Sequence, residues 1–93
     1  MHEPTNILVL ADELERELTA RYGPMLGSKD LWQALGFRSP NAFRQALSRG
    51  TLAVPVFEVQ NRRGRFALTR DVALWIAHQR YGGDEEVDAM NHR

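Results

Sequence analysis

Arg62, Arg63 and Arg65 fall within four residues, and Asn41, Arg44, Gln45, Ser48 and Arg49 recur along a single stretch of nine. Guanidinium groups crowded in this way suit anions, phosphate above all, because each offers a planar fork of donors that stays charged. Arginine also matches the O6/N7 edge of guanine, and Asn or Gln matches the N6/N7 edge of adenine. The chemistry these residues suit is recognition, not bond-making. His2, His78 and His92 have no metal-ligand spacing, and no carboxylate cluster accompanies them. Asp30 and Asp71 read as first-turn helix acids, not as an acid/base pair. The chain has no cysteine and no Gly-rich phosphate loop. We therefore expect no enzyme activity, no metal, no cofactor and no small-molecule substrate.

Charge sorts along the chain in support of this reading. The 12 basic and 12 acidic residues cancel overall. Between Ser28 and Tyr81, however, nine bases face three acids, a net of +6, while residues 1–27 and 82–93 each carry −3. A basic block between acidic flanks is the electrostatic footprint of a nucleic-acid surface hidden in a neutral average. The 93 residues, 43% of them hydrophobic, allow one small domain with a modest core. Met1-His2-Glu3-Pro4 lacks a basic signal region, and no apolar run approaches a membrane span. With no cysteine present, a reducing cytoplasm is the expected setting.

These side chains need elements to hold them. Ile7, Ala11, Leu14, Leu18 and Tyr22 recur at steps of four, three, four and four, one face of a helix. Thr5 or Asn6 is its expected N-cap, and Gly23-Pro24 its stop. Asp12–Arg16 and Glu17–Arg21 are opposite charges at i,i+4 on the wet side. After a short extended link at Met25–Gly27, Ser28 is expected to cap a second helix that ends at Gly36. Ser39-Pro40 starts a third helix, with Ser as N-cap and Pro at the first position, and Gly50 ends it. Phe43, Ala46 and Leu47 face inward there, which turns Asn41, Arg44, Gln45, Ser48 and Arg49 outward. Val56–Gln60 and Arg65–Leu68 are β-rich runs around Asn61-Arg62-Arg63-Gly64, a hairpin pattern with Pro55 at its edge. Thr69 then caps a last helix with Val72, Trp75, Ile76 and Gln79 on one face. Phe43 and Trp75 are expected in the core, with Trp32 partly exposed.

The expected fold is mostly α with a small β-hairpin: a winged helix-turn-helix, in the order helix, helix-turn-helix, two-stranded wing, helix. Residues 1–23 form an amphipathic helix, 24–83 the winged domain and 84–93 an acidic, disordered tail. Pro40–Arg49 is the recognition helix, with Ser39, Asn41, Arg44, Gln45, Ser48 and Arg49 toward DNA, and Val56–Leu68 is the wing, with Arg62, Arg63 and Arg65 on phosphates.

Five segments also carry a family likeness. They are Ser28-Lys29-Asp30-Leu31, Gly36-Phe37-Arg38-Ser39, Gly50-Thr51-Leu52-Ala53-Val54-Pro55-Val56, Arg63-Gly64-Arg65-Phe66, and Thr69-Arg70-Asp71-Val72 with Trp75-Ile76. In order and spacing, the stretch resembles the AlpA-like, excisionase-like and pyocin-activator-like proteins of phages and mobile elements, which have a MerR-like winged fold. The likeness implies sequence-specific binding of double-stranded DNA, either to regulate transcription or to bend DNA as an excision factor. The full helix ahead of the motif and the neutral total charge depart from that family.

Two questions stay open at this level. The stripe Ile7, Ala11, Leu14, Leu18, Tyr22 packs on the 54-residue basic block, forms a face for a second copy or another protein, or does both. The winged fold could also act as the scaffold of a protein-interaction module. RNA is a weaker candidate, because no exposed aromatic platform for stacking bases is evident.

Overall fold

The computed structural model describes residues 3–82, with side chains from 6 to 81. The expected tail, 84–93, lies outside the described residues. Six elements follow in order: α1 (Glu3–Tyr22), β1 (Met25–Gly27), α2 (Ser28–Ala34), α3 (Pro40–Arg49), β2 (Phe66–Leu68) and α4 (Thr69–Ala77). The last helix widens into a π-helical turn at His78–Gly82. The result is a mostly helical small domain of four helices and a two-stranded antiparallel sheet.

α1 starts earlier than expected, at Glu3, so Thr5 and Asn6 lie inside it and do not cap it. Pro4 permits this. A proline in the first helical turn lacks an N–H that would have no partner there anyway. The far end follows expectation: Gly23 turns the chain, and its N–H donates to the Thr19 carbonyl at 2.8 Å. Asp12 and Arg16 pair at 3.1 Å. Arg21 lies 5.7 Å from the Tyr22 ring centre instead of on Glu17.

α1 packs lengthwise on α4. Ile7, Ala11, Leu14, Leu18 and Tyr22 are all half-buried, and Leu18 and Tyr22 reach the central core. The stripe offered above as a partner face is thus used for packing within the chain. The apolar residues left outside are Leu8 and Val9, 65% and 52% exposed.

The link Met25–Gly27 is a strand. It pairs antiparallel with β2 in the register Met25↔Leu68, Leu26↔Ala67, Gly27↔Phe66. Leu26 and Ala67 at the centre of the ladder are buried. The expected hairpin is correspondingly reduced. Its second run spends its ladder on β1, and the first run meets it only at Phe57, which exchanges two hydrogen bonds with Phe66 at 2.8 and 2.9 Å. The segment expected as a wing, Val56–Leu68, is therefore a loop pinned by one bridge and followed by β2, and not a two-stranded hairpin. Its tight turn is Val59–Arg62, closed by the Arg62 N–H on the Val59 carbonyl at 3.0 Å. Gly64 has the positive φ expected of it, at 90°, and Asn61, inside the tight turn, has a second at 64°; a short polar side chain tolerates that region better than most.

Two expected caps have other work. The N-cap position of α2 is Gly27; Ser28 is the first residue of α2, sits in left-handed backbone at φ 53° and makes no capping bond. The N-cap position of α4 is Leu68. Thr69, 1% exposed, donates its hydroxyl to the Gly23 carbonyl at 2.7 Å, and its N–H donates to the Pro24 carbonyl at 2.8 Å. These two bonds join the start of α4 to the end of α1. Thr69→Val keeps the shape but strands the Gly23 carbonyl, so it should cost about 1–2 kcal/mol of stability, whereas Thr69→Ser should cost less. Urea unfolding of the two variants checks this. A loss in Thr69→Ser that exceeds the loss in Thr69→Val would mean that the methyl group, not the hydroxyl, matters.

Leu26, Leu31, Leu35, Phe43, Val54, Ala67 and Val72 form the buried core. Phe37 meets Phe43 edge to face at 5.8 Å, a favoured geometry for aromatic pairs. Trp75 and Trp32 are partly buried at the core's margin. No helix among the described residues is long and apolar enough to cross a membrane.

Candidate nucleic-acid interface

α3 is built by local signals. The Ser39 Oγ accepts a hydrogen bond from the Ala42 N–H at 3.1 Å, Pro40 occupies the first position, and Gly50 closes the helix in the left-handed conformation at φ 71°. A side chain at Gly50 would face that φ with a Cβ penalty, which is why glycine serves there. Phe43 fixes the rotation of the helix by entering the core. Positions 41, 44, 45, 48 and 49 then share the opposite face, since residues three and four apart align on a helix.

Asn41, Arg44, Gln45, Ser48 and Arg49 are all exposed. Ser39 differs from its fellow candidates: it is half-buried, and its oxygen serves as the cap acceptor. Neither Arg44 nor Arg49 pairs with a carboxylate among the described residues, whose ion pairs are Arg16–Asp12 and Arg65–Glu58. The stripe therefore presents two unneutralised guanidinium groups beside an amide pair. Arg38, exposed in the turn ahead of α3, adds a third cation that the motif reading did not single out. Its place in the basic block was the available signal.

The three arginines at 62, 63 and 65 have different surroundings. Arg62 stands over the Phe66 ring, 5.5 Å from its centre. This cation–π contact seats the guanidinium itself on the ring while the residue stays exposed. Arg63 is exposed. Arg65 is half-buried and bonds the Glu58 carboxylate at 2.9 Å. That pair is exposed enough to be worth little and to exchange for a phosphate at small cost.

Arg62 and Arg63 share a surface hollow with Gly27, Ser28, Asp30 and Phe66, at the beginning of α2. Lys29, the second residue of α2, is exposed. α3 departs from the other end of α2. Two basic groups thus flank a helix of seven residues, whose ends lie about 10 Å apart.

Among the described residues, no three His, Cys, Asp or Glu side chains gather as a metal site. Comparison of the chain with protein-family models, with curated proteins and with solved structures found no match.

Proposed function

We propose that this protein binds double-stranded DNA in a sequence-specific manner, as a small transcriptional regulator of the kind carried by phages, plasmids and other mobile elements. The observation that carries the reading is the stripe on α3: Asn41, Arg44, Gln45, Ser48 and Arg49 exposed along one face, opposite the buried Phe43. A capped helix with that stripe fits the major groove, where Arg reads guanine and Asn or Gln reads adenine. Arg62 and Arg63 supply the sequence-independent part, by neutralising phosphates and releasing counterions.

The element order supports a winged helix-turn-helix. A helix and a strand come first, then two helices across the turn Leu35–Ser39, then a return segment in which Phe66 sits between Gly27 and Phe57. In that arrangement the loop 58–65 is the wing, and its arginine-rich tip meets the backbone beside the groove occupied by α3. The protein acts by occupying its site.

Incubation with a random duplex library at two salt concentrations, followed by sequencing of the retained DNA, tests the proposal. A recovered motif is the expected result. Weak binding erased by salt, with no motif, would overturn it.

A further inference from the structure

The run Asp84-Glu85-Glu86-Val87-Asp88 places four carboxylates within five residues. Its position does not serve the helix it follows. The terminal turn of α4 ends at Gly82, and acids just beyond a helix C-terminus meet the negative end of its dipole. Arg80, a basic neighbour in the chain, has its guanidinium 4.8 Å from the Tyr81 ring centre. Three further arginines already have company: Arg65 bonds Glu58, Arg62 lies on Phe66, and Arg63 shares a hollow with Asp30. On α3 the balance is opposite. Arg44 and Arg49 are exposed and pair with no carboxylate among the described residues.

We propose that residues 84–88 lie on the α3 stripe in the free protein, with their carboxylates on Arg49 and Arg44, and that DNA must displace them. The chain leaves the described fold close to where it leaves α3. Ala53, Val54 and Pro55, which begin four residues after Arg49, line one hollow with His78 and Gln79 at the end of α4. Extended chain from Gly82 to Asp88 reaches about 20 Å, and the ten residues of α3 span about 15 Å. The occupant thus has the sign, the tether and the reach that this face calls for.

The segment is then a built-in competitor for the surface assigned to the major groove, and that role rests on the DNA reading, whereas the contact itself does not. Tethering makes weak contacts count. A short linker holds its end at an effective concentration in the millimolar range, so ion pairs of only millimolar strength keep the stripe covered for much of the time. The competition acts on the free protein. It therefore lowers the affinity for every duplex by one factor and leaves the base preference unchanged. Salt screens the carboxylate–arginine pairs as it screens phosphate contacts, so the factor fades as salt rises.

The test uses the full chain carrying Asp84→Asn, Glu85→Gln, Glu86→Gln and Asp88→Asn together, which keeps the segment's length and removes its charge. Proton–nitrogen correlation NMR without DNA compares it with the unaltered chain. At about 20 mM salt the backbone amides of the last turns of α3 and the Nε–H groups of Arg44 and Arg49 should differ between the two, and at about 0.5 M salt they should coincide. A random duplex should bind the substituted chain about two- to ten-fold more tightly at the lower salt, with the gap closing at the higher. Spectra that agree over α3 at low salt would overturn the proposal, as would differences confined to Arg62–Arg65 or to α1, which would place the segment elsewhere. Shifts on α3 with no change in duplex affinity would overturn the competition. If neither chain retains any duplex, the DNA reading fails, and the NMR comparison alone decides the contact.

Discussion

Replacing Gly27 with valine is expected to cost about 3–5 kcal/mol of folding stability, the range seen when a large aromatic side chain loses its place in a core. The requirement for glycine here is space and not backbone freedom. Gly27 has φ of −141° and ψ of 168°, an extended conformation open to any residue. A Cβ at this position, however, would overlap the Phe66 ring at its Cδ2 and Cε2 edge. Phe66 is only 8% exposed. It pairs with Gly27 on one side and Phe57 on the other, and Arg62 lies over its ring. The ring therefore has nowhere to go except out of the core, and the loss approaches a third or more of the about 5–15 kcal/mol that holds a small domain. Gly27→Ala should cost less, about 1–3 kcal/mol, as an overpacked site.

Chemical denaturation followed by circular dichroism measures both variants. A double-mutant cycle with Phe66→Leu isolates the contact: the smaller side chain should recover part of the alanine loss, since the two residues touch. A neutral Gly27→Ala would show that β1 and β2 tolerate a wider spacing. Because Arg62 rests on Phe66, the same substitutions should also loosen the loop 58–65.

The helices are legible in local periodicity, but of the expected N-caps only Ser39 makes its bond, and the pairings between distant segments are not legible. α3 is the clearest success: Ser39, Pro40 and Gly50 mark its bounds within a few residues of chain, and the cap bond from Ala42 to Ser39 forms as expected. The α1 stripe was also legible, since its spacing names the half-buried face. Met25–Gly27 could not be seen as a strand, because its pairing depends on Phe66–Leu68 almost forty residues later. That same pairing diverted the second run of the hairpin. Thr69 shows the ambiguity most directly. A hydroxyl residue before a helix has the same appearance whether it caps its own helix or reaches another element, and the tertiary partner, the Gly23 carbonyl, prevailed. At the candidate interface, residue types and exposure were legible on α3. The pairing of Arg65 with Glu58 and the seating of Arg62 on Phe66 were not, since both depend on how the loop folds back.

Those unequal surroundings give the DNA reading its most demanding prediction. Arg44→Ala should reduce affinity for the selected site by about 1–3 kcal/mol and relax the preference at one base position, because it removes a base-edge contact. Arg63→Ala should weaken all sequences about equally and lower the salt slope by about 1, because it removes a phosphate contact. Arg65→Ala should change the slope less than Arg63→Ala, since Glu58 already neutralises Arg65 in the free protein and binding must first exchange that partner. Competition binding of the selected duplex and its single-base variants at two salt concentrations measures all three. If Arg44→Ala and Arg63→Ala shift the slope and the base preference alike, the division of labour between α3 and the wing fails. If Arg65→Ala matches Arg63→Ala, the carboxylate at 2.9 Å is released without cost, and the wing presents three equivalent cations to the backbone.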